Sequence, residues 1–370
     1  AASGIKVIEV SDYTRYPEIL DGRVKTLHPK VHGGILACRN KKTHLQQMNA
    51  HQIKPIDMVI VNLYPFEEVT AKKGISLSDA IENIDIGGVA LLRAAAKNHA
   101  FVTVVSSPSE YPQIIDQLRK NKGGIPAQVR RRFAVEAFQM TSLYDHAIFS
   151  FLSRKFPGFG ADNLLGKERI VLSYERMRSL RYGENPHQAA AFFKDLDAKY
   201  PGLSAMKCYA GKELSFNNLL DIDAAYSLVL EFQKPAACIV KHNNPCGAAE
   251  NKTLASAFRA AHSTDPLSAF GGIVALNKKV DHNTARAIHS AGFLECIIAP
   301  GYDKKALALL SEKKNVRIVE IPLGAYRISG FDMKKTKGGL LVQEYDAADI
   351  RASDLRKVTK RKPSLSQEKS

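Results

Sequence analysis

The chain of 370 residues has no tryptophan and only five cysteines. Those cysteines, at positions 38, 208, 238, 246 and 296, show no framework spacing, which excludes a small disulfide-stapled fold. An odd set of thiols, some inside apolar runs, points to a reducing compartment, and a cytoplasmic location is expected. No apolar run reaches the roughly 18 residues that a membrane span needs, so no membrane partner is expected. The opening AASGIKVIEV lacks both a basic n-region and a long apolar h-region, so it does not read as a signal peptide. It begins with Ala rather than Met, so a processed or incomplete start is expected. Neither GxxxxGK[ST] nor GxGxxG occurs, which leaves a P-loop or a Rossmann dinucleotide site without support.

Acidic residues are also scarce. Thirty-seven Asp and Glu against 53 Lys and Arg leave a formal charge of +16. Such a surplus suits either nucleic acid or a set of small anions such as phosphates and carboxylates. The basic residues are spread along the chain, with the densest runs at Lys334–Lys337 and Arg356–Lys362. No run interleaves aromatics with cations as a single-strand platform does, so nucleic acid is not the expected partner. The tail KRKPSLSQEKS reads as a solvated segment.

What is present is an alternation of strand and helix patterns, the mark of a layered α/β protein. DMVIVNLY (57–64) and FVTVVSS (101–107) read as buried strands. Ser76 and Asp79 stand at cap spacing before a short helix, GGVALLRAAAKNH reads as a helix, and residues 127–156 as one long amphipathic helix. The Gly- and Pro-rich stretch 155–168 is taken as a linker between domains 1–154 and 169–370. In the second domain AACIV, GGIVALN, ECIIAP and VRIVEI read as strands, each separated from the next by a helical pattern.

Polar clusters recur at element boundaries, where open α/β sheets bind ligands. In DGRVKTLHPKVHGG, Arg23 and Lys25 stand two apart on an extended segment and suit a phosphate, unless the segment is simply a basic surface loop. Asn62 and Tyr64 end a strand in NLYPF, either facing a ligand or half buried. In DIGG, Asp85 either caps the next helix or faces a ligand that the glycine backbone can approach. Lys97 ends that helix, as a cation complementing the dipole or as a functional group.

The second domain has RYGENPHQ (Arg181, Tyr182, Asn185), VKHNNPCG, and SAFGGIVALN with Phe270 beside Gly271. Position 249 is Ala rather than the second Cys of P-C-x-x-C, and no H-x-E precedes it, so zinc is not expected. The spacing of His242 and Cys246 across NNP gives a thiol nucleophile little support, and a turn at Pro245–Gly247 is expected. Lys241 and His242, which follow a core strand directly, suit proton transfer by the imidazole and oxyanion stabilisation by the ammonium. That chemistry fits attack by a weak amine on an acyl carbon.

Taken in order, DGRVKTLHPKVHGGILA, NLYPF, IDIGG, AAKNH, RYGENPHQ, KHNNPCG, SAFGGIVALN and GGLLVQ resemble one family, from about residue 5 to about 363. This is the bifunctional phosphoribosylaminoimidazolecarboxamide formyltransferase / IMP cyclohydrolase family. The resemblance implies a methylglyoxal-synthase-like domain followed by a cytidine-deaminase-like domain. It implies formyl transfer from 10-formyltetrahydrofolate to 5-aminoimidazole-4-carboxamide ribonucleotide, then ring closure to IMP with loss of water. It also implies no metal and a homodimer. By motif, His242 corresponds to the general base and Lys241 to the transition-state stabiliser. Lys97 corresponds to the proton-transfer residue of ring closure, with Tyr64 and Asp85 in the same catalytic set. Arg23, Lys25, Thr26, Asn62, Ile86 and Gly87 correspond to nucleotide contacts in the first domain. Arg181, Tyr182, Asn185, Gly271 and Glu295 do so in the second; the family's acidic contact, for which Asp is also used, stands just before IIAP, and Glu295 is two residues upstream of that segment. The family pattern extends past both ends of the chain, so both sites are expected to be incomplete. The alternatives are an inactive nucleotide-binding fragment of such an enzyme and a basic nucleic-acid-binding protein.

Overall fold

The computed structural model describes residues 4–156, 161–198, 200, 202–322, 330–348, 354 and 356–364. It divides into two compact units, Ala1–Leu164 and Leu165–Ser370.

The first unit contains helices α1 (Val10–Thr14), α2 (Pro29–Leu36), α3 (Lys42–Ala50), α4 (Phe66–Thr70), α5 (Leu77–Glu82), α6 (Gly87–Lys97), α7 (Tyr111–Lys120) and α8 (Ala127–Lys155), with strands β1 (Met58–Ile60) and β2 (Thr103–Val105). β1 and β2 pair in parallel, Val59 opposite Val104. Single bonds carry the ladder beyond both ends, from Thr103 N–H to Asp57 O at 2.9 Å and from Val61 N–H to Val105 O at 3.1 Å. α6 buries Leu92, Ala94, Ala95 and Ala96 in the same cluster as Val104 and Val105, and small residues there permit close approach. Ala134, Ala137, Thr141 and Tyr144 of α8 are buried at intervals of three and four, the helical period, with Phe133 buried beside them. Asn98 is buried at the end of α6, and its amide donates to the carbonyls of Ile35 (2.6 Å) and Ala37 (3.0 Å). It thereby satisfies one carbonyl in the last turn of α2 and that of the capping residue Ala37, neither of which has a partner within the helix.

α2 follows the Arg23–Lys25 segment within the same motif and is not among the expected helices. His28 caps it, its Nδ1 accepting from Lys30 N–H at 3.1 Å, and Pro29 occupies the first turn. Two glycines within the helix obscure it in the sequence, yet packing requires one of them. A Cβ on Gly34 would stand 2.5 Å from the Lys54 carbonyl oxygen.

The second unit contains β3 (Tyr174–Leu180), β4 (Ala190–Asp195), β5 (Lys207–Ala210), α9 (Phe216–Leu230), β6 (Ala236–Lys241), β7 (Asn244–Glu250), α10 (Leu254–Thr264), α11 (Pro266–Ala269), β8 (Ile273–Leu276), α12 (His282–Ser290), β9 (Cys296–Ala299), α13 (Lys304–Ser311), β10 (Arg317–Glu320), β11 (Phe331–Thr336) and β12 (Gly339–Glu344). Six strands form one sheet in the order β5-β10-β9-β8-β6-β7, while β3–β4 and β11–β12 are separate hairpins. β8, β9 and β10 are mutually parallel, and β6 runs antiparallel to β8. Both faces of the sheet are covered. Ala237, Ile239, Val274, Leu276 and Ile297 share a core with α10, α12 and α13, and Cys238, Val240, Ile273, Ala275 and Ile298 share one with α9. Alternate residues enter opposite cores, as the strand period requires.

The expected turn is displaced. Pro245–Gly247 is not a turn but lies within β7, and the chain reverses earlier, at His242–Asn243. Both have positive φ, 53° and 62°, between the paired residues Lys241 and Asn244, the signature of a tight two-residue hairpin. Proline is tolerated because β7 is an edge strand and its register shifts there: Val240 faces Pro245 and Ile239 faces Gly247, which leaves Cys246 as the extra residue. Gly247 is fixed by contact, since a Cβ would stand 2.0 Å from the Ala261 carbonyl oxygen of α10.

Candidate active site

In the first unit several motifs converge at the amino end of α6. Asp85 Oδ1 accepts from Gly88 N–H at 2.6 Å, and Asp85 N–H donates to the Tyr144 hydroxyl at 2.8 Å. Tyr144 in turn donates to Asn83 O at 3.2 Å, and burial pushes its phenol upward. The Thr26 hydroxyl lies 3.0 Å from where a Gly87 Cβ would stand, so the absence of a side chain lets that loop approach the first turn of α6. Lys25 is paired with Glu18 at 2.8 Å; this hydrogen bond raises the pKa of the amine, and Tyr64 is near enough to contribute. Arg23 is paired with Glu82. Arg23 and Lys25 therefore each hold an acid on the protein. Tyr64 and Ile86 are open to solvent, at 55% and 62% exposure. Asn62 accepts from the Tyr111 hydroxyl at 3.2 Å.

A cavity of about 460 Å³ beside this group is lined by Asp85, Ile86, His32, Arg93 and Asp145, among others. His32 and Arg93 were not singled out in the sequence. The available signal was helical spacing: His28 and His32 are four apart, as are Arg93 and Lys97.

Lys97 stands at the far end of the 11-residue α6, roughly 15 Å along its axis from Gly87. It lines a second cavity of about 510 Å³ with Arg93, His99 and Phe138, the Arg93 guanidinium lying 5.4 Å from the Phe138 ring centroid. Thus Thr26, Lys25, Tyr64, Asp85, Ile86 and Gly87 gather at one end of α6, and Lys97 lies at the other. Arg93 lines both cavities.

In the second unit the candidate residues lie in a row across one end of the central strands of the large sheet. β6 runs opposite to β8 and β9, so its carboxyl end falls beside their amino ends. Lys241, the last residue of β6, donates from Nζ to Phe270 O at 2.8 Å. Gly271 has φ +74° and donates its N–H to Phe293 O at 2.9 Å, while the Phe270 ring is 60% exposed and lies 5.8 Å from that of Phe293. Next in the row, Glu295 N–H donates to Gly272 O at 3.0 Å. One oxygen of the Glu295 carboxylate accepts from the buried Arg317 guanidinium at 2.6 Å.

His242 is exposed at the tip of the β6–β7 hairpin. A non-glycine residue in the left-handed region costs on the order of 1–2 kcal/mol, and two stand in succession here. Their compensation is visible. Asn244 Nδ2 donates to His242 O at 2.9 Å, and Asn243 N–H donates to Asp221 Oδ1 at 2.7 Å. With its amide nitrogen turned toward acceptors, the Asn243 side chain reaches Asp221 Oδ1 and Leu220 O, both at 3.2 Å. One helical turn before Asp221, Asn217 Nδ2 donates to Glu184 O at 3.3 Å. α9 therefore holds both the His242 hairpin and the RYGENPHQ loop. In that loop Arg181 donates to the Tyr182 hydroxyl at 3.0 Å, and Asn185 N–H donates to Gln188 Oε1 at 2.8 Å. Sequence reading did not find Asp221, Asn217 or Arg317, whose only signals were positions within helix and strand patterns.

Cys246 is half-buried. Burial first, and then the Asp265 carboxylate, push its thiol up, while Lys241 opposes them weakly. An activated nucleophile requires the opposite shift. Among the described residues, no group of three His, Cys, Asp or Glu side chains is arranged to hold a metal.

Residues 1–90 match the MGS-like domain family, and residues 95–370 match the AICARFT/IMPCHase bienzyme family. The "Bifunctional purine biosynthesis protein PurH" of Anoxybacillus flavithermus (strain DSM 21510 / WK1) is 48% identical over 367 residues, 98% of this chain and 70% of that protein. Its namesake from Thermoanaerobacter sp. (strain X514) is 45% identical over 359 residues, 97% of this chain and 68% of that protein. A solved structure, "Crystal structure of ForH", is 35% identical and covers 40% of this chain and 75% of that one, with a TM-score of 0.36. An MGS-like segment leads into the long second match, and the chain belongs to the AICARFT/IMPCHase bienzyme family.

Proposed function

We propose that this chain catalyses the last two steps of IMP synthesis. Residues 169–370 transfer a formyl group from 10-formyltetrahydrofolate to the 5-amino group of 5-aminoimidazole-4-carboxamide ribonucleotide. Residues 1–154 close the formylated product to IMP with loss of water. The carrying observation is the Lys241–His242 pair at the carboxyl end of β6, with the ammonium fixed on Phe270 O and the imidazole exposed beside it.

As the amine attacks the formyl carbon it acquires positive charge, and His242 takes the proton it must lose. The formyl oxygen becomes an oxyanion, and Lys241 has two further N–H donors for it. When the tetrahedral centre collapses, the C–N bond to tetrahydrofolate breaks and His242 returns its proton to the leaving nitrogen. The exposed Phe270 ring and the bare backbone at Gly271 offer a flat apolar surface for a heterocycle. Arg181, Tyr182, Asn185 and Glu295 serve as nucleotide contacts. In the first unit, Thr26, Asn62, Ile86 and Gly87 line the approach to Tyr64 and Asp85, Arg23 and Lys25 meet phosphate, and Lys97 moves a proton in ring closure. For Arg23 and Lys25 this requires exchanging Glu82 and Glu18 for the ligand. The enzyme works as a cytoplasmic homodimer and uses no metal.

The test is to mix the ribonucleotide with 10-formyltetrahydrofolate and follow tetrahydrofolate spectroscopically. His242→Ala is expected to slow formyl transfer about 10²–10⁴-fold and to leave cyclisation of pre-formylated nucleotide intact. A normal formyl-transfer rate in that variant would remove His242 from the mechanism.

A further inference from the structure

We infer that Asp221 is a positioning residue for formyl transfer: its carboxylate locks the left-handed His242–Asn243 turn and thereby sets where the His242 imidazole points. The inference rests on the reading of His242 as general base. Three observations carry it. His242 and Asn243 have φ of 53° and 62°, a pair of conformations that an isolated turn rarely adopts without glycine. The Asn243 N–H, which leads out of His242, donates to Asp221 Oδ1 at 2.7 Å, a charge-assisted bond. Asp221 itself is on α9, whose inner face is packed into the core with Ile222, Ala225 and Val229. A rigid helix thus fixes a carboxylate against a strained turn that bears the proton acceptor. Because backbone and Cβ directions are coupled, release of the turn would swing the imidazole away from the amine. A misplacement of about 1 Å in such a group costs on the order of 100-fold in rate.

The test uses the full chain and four variants: Asp221→Ala, Asp221→Asn, Asn243→Gly and the double variant Asp221→Ala/Asn243→Gly. Asp221→Ala is expected to lower kcat by about 10–100-fold while the KM for the ribonucleotide stays within about twofold. Asp221→Asn keeps an acceptor oxygen and is expected to retain most of kcat. Glycine adopts the left-handed turn without steric cost, so Asn243→Gly is expected to restore kcat in the Asp221→Ala background. It does the same if Asp221→Ala alone folds poorly. Unchanged kcat in Asp221→Ala, or no rescue by Asn243→Gly in a folded double variant, overturns the inference. A second readout is independent of turnover: protection of the Asn243 amide from hydrogen exchange should be lost in Asp221→Ala and kept in Asp221→Asn. If that protection behaves as expected but His242→Ala keeps full activity, the general-base reading has failed and the structural lock has not.

Discussion

The thiols of this chain occupy very different surroundings, and the differences can be measured. Burial drives the Cys238 thiol up to about 12 and Cys296 higher still, while Cys208 is exposed. Since only the thiolate alkylates, iodoacetamide at pH 8 should mark Cys208 and leave Cys238 and Cys296 untouched until the chain unfolds. Peptide mass spectrometry checks this, and equal labelling of Cys238 and Cys208 under native conditions would place β6 outside the core. Lys241 was legible because an ammonium directly after an apolar strand is costly unless it has a use or a partner. Its anchor on Phe270 O was not, since no spacing rule relates residues 241 and 270. Asp221 was invisible for the same reason: an Asp within a helical pattern reads as solvated until the hairpin beside it is known.

At the scale of elements, apolar runs made β6, β8, β9 and β10 legible, because strands buried on both faces read as continuous hydrophobic stretches. β7 was obscured by NNPCG, whose turn-forming residues are tolerated by the edge position and the register shift. α2 was obscured by its glycines, which tertiary contact requires against helix propensity. Two element junctions carry quantitative expectations. Asn98→Ala strands the buried carbonyls of Ile35 and Ala37, so roughly 1–3 kcal/mol of stability should be lost in urea denaturation of the first unit. Asp265 caps α11, accepting from Ser268 N–H at 2.9 Å, and its hydrogen bonds with Ser268 hold its carboxyl below the ordinary 3.8. A pKa depressed in the folded state contributes stability that is complete above the unfolded value and is lost as pH falls through the folded one. The stability difference between the parent and Asp265→Ala should therefore be constant at neutral pH and shrink only below pH about 4. A difference that instead grew on acidification would contradict the cap.

Across the whole molecule, the alternation of strand and helix announced a layered α/β protein, but the order of strands was not readable, because pairing depends on contacts between residues far apart in sequence. The two compact units predict separable chemistry. Asp85→Asn should slow ring closure while leaving formyl transfer within about twofold, the reverse of the His242→Ala pattern; a comparable loss of both activities would show coupling. The charge of +16 predicts oligonucleotide retention that is weak and collapses between about 50 and 200 mM salt, as measured by anisotropy. Gly247 has a consequence for how such a protein can vary. With the Ala261 carbonyl 2.0 Å from the place of any Cβ, no rotamer change relieves the clash, since the obstacle is backbone. In a saturation library the codon for residue 247 should go almost silent for every replacement, while the one for Leu267, 88% exposed on the same side of the chain's reaction pair in sequence, accepts many. A position with no side chain would then be among the least replaceable in the enzyme, and drift within β7 would be confined to residues that leave α10 seated.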